Sequence, residues 1–361
     1  MERDVAASGA RSGLAAAIDH LMTVDVPGRG FIAEAYRLAR DRTTRPLIEE
    51  AGERLIAAMG QRESPVVLIV TGATSQRVGL PEHVGEMDGP PGAIALARTL
   101  ALACKAVPVL LTDPGQGGML SAAAASLGLY TLPVEQVRQQ AVRTTHAAAV
   151  AILEISDCDE AARAQAEDLL GALSPAAAIA IEKAGKNERG VFHNSQKVDT
   201  SPGKARADEL FAACRARGIL TIGIGDGGNE IGMGAIRAEL VQAFPHMGKC
   251  VCPCGGSILA AQQTDCLLTA TVSNWGAYAL AAYIAFASGQ PYAAHSPARE
   301  KRLLEGVSRA GYMHLDGLHV PAADGLPSAV HEAFVRLLST MVQWPPLEHG
   351  RRGYLEDMLP P

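Results

Sequence analysis

The apolar positions of this chain change period near residue 60 and then switch repeatedly between two patterns. Before that point they recur at helical spacing, in GLAAAIDHLMTVD, FIAEAYRLARDR and PLIEEAGERLIAAMG. The run SPVVLIVTGA, residues 64–73, breaks the pattern: it is short, β-branched and closed by Thr71-Gly72, and it reads as a buried strand. A polar loop rich in Gly and Pro leads to Pro91, followed by a helix in GAIALARTLALACKA and a strand in PVLLTD, residues 108–113. The order then recurs. LSAAAASLGL and ARAQAEDLLGAL read as helices on either side of a strand in HAAAVAILEIS. AAIAIEKAG (177–185), ILTIGIGDGG (219–228) and CLLTATVSNWG (266–276) read as strands ending in polar residues, with helices in ARADELFAACRARG and AYALAAYIAFASG.

Strands alternating with helices imply a parallel sheet covered on both faces. The expected fold class is therefore α/β, an open and mostly parallel sheet with helices on both faces. The expected organisation is a helical N-terminal segment at 1–60, one α/β domain at 61–345 closed by a small α-rich cap, and a C-terminal tail at 346–361. No fixed-period repeat and no low-complexity linker interrupts it.

Composition narrows the partners. Hydrophobic residues are 48 % of the chain and the net charge is −6, with no long basic run, which argues against nucleic acid. No uninterrupted apolar stretch is long enough to span a membrane. The start, MERDVAASGARSG, lacks the apolar core of a secretory signal, so a cytoplasmic location is expected. An Ala-rich helical surface is compatible with a homodimer.

In open parallel sheets, ligands sit beyond the carboxyl ends of the strands, and there the polar residues collect. GIGDGGNEIGMG, residues 223–234, carries Asp226, Gly227, Gly228, Asn229 and Glu230 after a strand. A helix cap accounts for one such residue and not for the string. The glycines let the backbone approach a ligand while Asp226 and Glu230 repel anions. The mixture suits a zwitterion, or a divalent metal bound by oxygen ligands. GEMDGPPGA places Glu86, Asp88 and Gly89 before a Pro-initiated helix, and a solvated acidic loop explains it equally well. Glu182-Lys183 is either an ion-pair rim or a base beside a cation. Ser273, Asn274 and Trp275 offer a hydroxyl, an amide and a flat apolar wall, or simply a cap with a packed indole.

Seven cysteines in a chain of 361 residues suggest free thiols in a reducing compartment. Cys250, Cys252 and Cys254 alternate in KCVCPCGG, which could ligate a soft metal. Structural zinc sites more often use C-x₂₋₄-C and a second pair, so buried strand cysteines entering a turn are the preferred reading. The ten histidines form no metal-binding pair, and His146, His193 and His246 read as structural or surface residues.

Four ordered blocks carry a resemblance: TGA with GEMDGPPGA, AIEKAGKNERGVFHN, GIGDGGNEIGMG, and VSNWGAY. Together with a later DGL-to-DGLP stretch they make the chain, from Pro65 to Leu338, similar to the D-glutamate cyclase family, once described only as a domain of unknown function. The resemblance implies a lyase that cyclises free D-glutamate to 5-oxo-D-proline with loss of water. Larger animal members carry an extra preceding domain, and this chain resembles the cyclase part alone. This chain departs from the family pattern at two pocket positions: Ala73 stands where an aromatic is expected and Met87 where threonine is expected.

That reaction needs a base for the amine, charge compensation at the γ-carboxylate, and a folded substrate. Asp226 and Glu230 would hold the ammonium or a metal, and one of them or Glu182 would take a proton. Lys183, Asn229 and the Gly227 and Gly228 amides would bind carboxylate oxygens. Thr71, Gly72, Glu86, Asp88, Gly89, Asn194, Ser273 and Asn274 would line the site, with Trp275 closing it from water. No organic cofactor is expected, and the acids permit Mg²⁺ or Mn²⁺ without requiring it. Two alternatives stand beside this reading. One is a haloacid-dehalogenase-like phosphatase, with Asp157-Cys158-Asp159 as its D-x-D string. The other is a non-catalytic amino-acid-binding protein.

Overall fold

The computed structural model describes residues 2–60, 62–75, 84–142 and 147–343. Three helices open the chain, α1 (Glu2–Met22), α2 (Ile32–Arg40) and α3 (Leu47–Met59), as the helical spacing predicts. Then come β1 (Val66–Thr71), a two-stranded ribbon of β2 (Thr74–Ser75) and β3 (Val84–Gly85), α4 (Pro90–Cys104) and β4 (Val107–Thr112). The next stretch holds α5 (Gly117–Ala125), β5 (Leu129–Thr131), α6 (Val134–Ala141), β6 (Ala148–Glu154) and α7 (Asp159–Leu173). After it lie β7 (Ala177–Ile181), α8 (Ala207–Ala216), β8 (Leu220–Gly225), α9 (Arg237–Ala243) and β9 (Cys266–Thr269). The chain closes with α10 (Ser273–Ala287), α11 (Pro297–Arg309), a ribbon of β10 (Ala322–Ala323) and β11 (Leu326–Pro327), and α12 (Ser328–Gln343). The tail expected at 346–361 lies outside the described residues, as does His146.

Seven strands form one open sheet in the order β5-β6-β4-β1-β7-β8-β9. Every neighbouring pair is parallel. The chain enters at β1, builds outward to one edge, then returns to the other side of β1 at β7. The direction of winding therefore reverses between β1 and β7, where a crevice opens at the carboxyl ends of the strands.

Strand alternation divides the core into two layers. Val67 and Ile69 of β1 face one side, with Ile18, Ile48 and Leu55 of the opening helices and Leu96 and Tyr278 of α4 and α10. Val66, Leu68 and Val70 face the other, with Ala166, Leu170 and Phe211 of α7 and α8. The opening helices thus pack into the same core as the sheet. Among the described residues no helix is long and apolar enough to cross a membrane.

One boundary differs from the sequence reading. The run at 266–276 is strand only to Thr269, and helix α10 begins at Ser273, so Ser273, Asn274 and Trp275 form its first turn. The helix can start there because its first amides find an acceptor outside it. Asp88 Oδ2 accepts from Ser273 N at 3.1 Å and Asp88 Oδ1 from Asn274 N at 3.0 Å. The favour is returned: Asn274 Oδ1 accepts from Gly89 N at 3.0 Å and Gly92 N at 2.8 Å, at the start of α4. The two helix starts cap each other.

That exchange needs close contact. A Cβ on Gly92 would sit 2.8 Å from Ala277 Cβ and 3.0 Å from Asn274 Cα. Gly92→Ala gains about 1 kcal/mol of helix propensity, but overpacking against backbone costs about 1–3 kcal/mol. The urea midpoint of the variant is expected to fall; a rise would show that α4 and α10 can separate freely.

Candidate active site

The switch point is lined with acids from four separate segments. Glu182 follows β7, Asp226 and Glu230 follow β8, Asp88 precedes α4, and Asp324 lies in the turn between β10 and β11. Carboxylate oxygens of Glu182, Asp226 and Glu230 lie within 4.8 Å of one another, and so do those of Asp88, Asp226 and Asp324. Asp226 belongs to both sets. Asp88, Asp226 and Glu230 are buried and Glu182 is half-buried.

Local backbone explains how they converge. Glu182 has φ of 51°, a left-handed conformation that non-glycine residues rarely adopt and that costs on the order of 1–3 kcal/mol. Its amide still bonds Ile224 O at 3.1 Å, so the ladder holds while the chain bends. Its Oε2 accepts a 2.6 Å bond from Ser273 Oγ. Gly89, at φ 96°, passes so near Glu182 and Thr71 that a Cβ there would lie 2.9 Å from Glu182 Cβ and 2.8 Å from Thr71 Oγ1. Glu230 folds back on its own loop, accepting from Gly227 N at 3.0 Å and Gly228 N at 2.8 Å.

Burial shifts four of these acids upward. Burial raises Asp88 to about 8, with the Asp324 charge adding to it and three backbone amides opposing it. Burial also puts Glu182 and Asp226 well above the usual carboxylate range, reinforced for Glu182 by Glu230 and Asp88, and for Asp226 by Glu182, Asp324 and Asp88. Burial raises Glu230 too, against its own loop amides. The cation among them is Arg29, from the turn between α1 and α2. It reaches Asp226 Oδ2 at 3.3 Å and Asp324 Oδ2 at 2.5 Å. Carboxyls held partly protonated at neutral pH can both take and give a proton. Either set of three could also hold a hard divalent ion through oxygen.

Several expected site residues are placed elsewhere. Lys183 is buried, and its Nζ bonds Asp113 Oδ1 at 2.5 Å and the Gly72 carbonyl at 2.9 Å. The Gly227 and Gly228 amides are turned onto Glu230. Asn194 Oδ1 accepts from Gln196 N and Val198 N in a turn of its own. Asn229 Nδ2 bonds the His193 carbonyl at 3.0 Å. Trp275 is a core residue: its indole stacks on Phe334 at 4.4 Å and donates to His331 Nδ1 at 3.0 Å. Glu86 is half-buried and its amide bonds Ala73 O at 2.9 Å. Thr71 Oγ1 is buried beside Gly89 without a hydrogen-bond partner. Asp157 and Asp159 follow β6, which β4, β1 and β7 separate from β8 in the sheet. Asp159 is exposed there and paired with Lys186 at 2.5 Å.

The family model described as "D-glutamate cyclase-like, C-terminal" matches residues 18–339, and so takes in every acid of the site and Arg29. The chain belongs to this family. It is also 31 % identical over 234 residues to the protein named "D-glutamate cyclase, mitochondrial" from Homo sapiens. That match covers 63 % of this chain and 34 % of the human protein, so the chain spans about a third of that relative's length.

Two charged residues among these acids were not marked as site residues in the sequence. Arg29 stands alone in VPGRGF and Asp324 in AADGLP, and only the fold brings them together. Lys204 is a third charged residue the pattern does not mark. It is buried, its Nζ bonds the Thr74 carbonyl at 2.8 Å, and burial lowers its pKa while Asp113, Glu86 and Glu182 pull it back up.

The raised acids fix the sign of a pH effect. Their unfolded value for aspartate is 3.8, so between about 4 and about 8 the folded chain holds more protons than the unfolded one. Stability therefore falls as pH rises through that window. Asp226→Asn removes one of the competing charges. Its urea midpoint should exceed the wild-type value at pH 8, with the gap closing near pH 4. An equal or lower midpoint at pH 8 would mean that Asp226 is already compensated.

Proposed function

We propose that this protein is a lyase that cyclises free D-glutamate to 5-oxo-D-proline with loss of water. The observation that carries the reading is a cluster of five carboxylates around one arginine in a crevice of a D-glutamate cyclase-like chain. Such a site attracts an ammonium group and holds transferable protons.

The proton balance of the reaction matches that stock. The substrate's ammonium must lose two protons to become an amide N–H. One γ-carboxylate oxygen must gain two and leave as water. The first loss makes the nitrogen a nucleophile. It then attacks the carboxyl carbon of the γ-carboxylate of the same molecule, and the N–C bond forms as one C–O bond of that carboxyl group breaks. Glu182 and Asp226 suit the transfer, since burial keeps each well above the ordinary carboxylate range. Glu230, held by its loop amides, would face the ammonium. Arg29 and Lys204 would hold carboxylate oxygens, the part assigned from sequence to Lys183. Ser273, bonded to Glu182, would orient that base. A divalent ion on Asp226 and its neighbours would offset γ-carboxylate charge.

Chelator-treated protein should convert D-glutamate, and not L-glutamate, to 5-oxoproline, read by mass spectrometry in lanes with and without Mg²⁺ or Mn²⁺. Loss of general acid–base transfer costs about 10²–10⁴-fold, so Glu182→Gln and Asp226→Asn should each lose turnover by that order while remaining folded. Binding of D-glutamate without product in any lane would favour a non-catalytic binding protein.

Arg29 divides binding from chemistry. A hydrogen bond to a charged group is worth about 1.5–3 kcal/mol, so Arg29→Met should raise KM about 10-fold or more with a smaller change in kcat. A fall in kcat at unchanged KM would instead place Arg29 at the developing charge.

A further inference from the structure

Away from the acids, the three cysteines of KCVCPCGG meet a histidine from a distant segment. They are not in a strand: Cys250 lies in irregular chain and residues 251–254 form bends and a turn, with Cys250 buried and Cys252 and Cys254 half-buried. This corrects the expected buried strand, and His193 is not a lone structural residue. The turn draws the sulfurs inward. Cys250 Sγ lies 3.3 Å from Cys252 Sγ and 3.4 Å from Cys254 Sγ. His193 Nε2 closes the group, 3.3 Å from Cys252 Sγ and 3.7 Å from Cys254 Sγ. All four donor atoms fall within 4.8 Å of one another.

We propose that Cys250, Cys252, Cys254 and His193 form a structural zinc site. Four ligands 2.3 Å from one ion lie about 3.8 Å apart, close to these separations. A disulfide needs sulfurs about 2.05 Å apart and would leave the third thiol alone. Three thiolates and an imidazole are soft and borderline donors, which select zinc over Mg²⁺ or Mn²⁺. Four protein ligands complete the coordination and leave no open position for chemistry. Outer contacts also suit a thiolate: Gly256 N and Asn187 Nδ2 point at Cys254 Sγ, at 3.4 and 3.6 Å. Binding would release the thiol protons and join two segments far apart in sequence.

The joined segments support the acid cluster. The loop carrying His193 follows Glu182 and Lys183, and the cysteine loop leads toward β9. They are already tied by Val251 N to Lys197 O at 3.1 Å and Asn187 Nδ2 to Ser257 O at 2.7 Å. The His193 carbonyl receives Asn229 Nδ2 at 3.0 Å, one residue from Glu230. The zinc would thus fix the backbone on which Asn229 hangs, and with it the Asp226–Glu230 loop.

The test uses the full chain, expressed with zinc and passed over chelating resin, with metal measured by plasma mass spectrometry. One zinc per chain is expected, and Asp226→Asn should retain it. Cys252→Ser and His193→Ala should lose it and melt at lower temperature. Should those variants not fold, titrating wild-type thiols with an organomercurial should release zinc in step. Cobalt-substituted protein should show sulfur-to-cobalt charge transfer and the visible bands of a tetrahedral site. Folded wild-type protein without zinc, zinc lost with Asp226→Asn but kept with Cys252→Ser, or these cysteines recovered as a disulfide would each overturn the proposal.

Discussion

The structure turns on the repulsion of buried carboxylates. Five acids meet at one crevice with one guanidinium among them. Left ionised, they would oppose folding, since removing charge from water costs several kcal/mol per ion unless it is paired. The site is tolerable because burial favours the protonated forms of Asp88, Glu182, Asp226 and Glu230. Arg29 draws only Asp226 and Asp324 together, so the surrounding scaffold must hold the rest.

That scaffold is a set of exchanged hydrogen bonds. Asp88 caps α10 and Asn274 caps α4, so neither helix start can move without the other. Ser273, next to Asn274, holds Glu182. Glu182 in turn sits at a left-handed bend that Gly89 makes room for. On the far side, Glu230 is held by two amides of its own loop, and Asn229 fastens that loop to His193. Four separate stretches of backbone therefore position the five acids, with Asp226 and Glu230 sharing one loop, which suits a site that must keep its geometry while its charge changes.

Strands buried on both faces were legible as apolar runs, because their periodicity survives in any context. β1, β4, β7, β8 and β9 all fall where the runs predict. β5 and α6 did not show: β5 is a three-residue edge strand with Tyr130 exposed, and an edge carries little apolar signal. The acids were legible because strand ends in such sheets are where ligands bind. Their neighbours were less so. Glu182 and Lys183 adjoin in sequence just past β7, yet with the chain bent at Glu182 they take different partners, one among the acids and one at Asp113. Trp275 follows two capping residues but faces α12, where Phe334 covers it. Arg29, Asp324 and His193 are single residues in turns, and single residues have no period to read. The same applies to the cysteine cluster, whose fourth member lies 57 residues before Cys250.

Charge counting links the scaffold to the proposed reaction. Free glutamate at neutral pH carries one ammonium and two carboxylates, so it brings a net negative charge to a crevice already rich in acids. Binding is favourable only if the crevice is partly protonated or holds a cation. Desolvation supplies the first condition, as it raises Asp88, Glu182, Asp226 and Glu230 alike. The protons that make binding possible are also those the leaving oxygen requires, and the ammonium replaces them as its own are given up. A site built from fixed positive charge could bind the same substrate more tightly, but it could not return protons to itself at each turnover. In the proposed reaction the acids would thus act as a proton reservoir and not as a set of anchors.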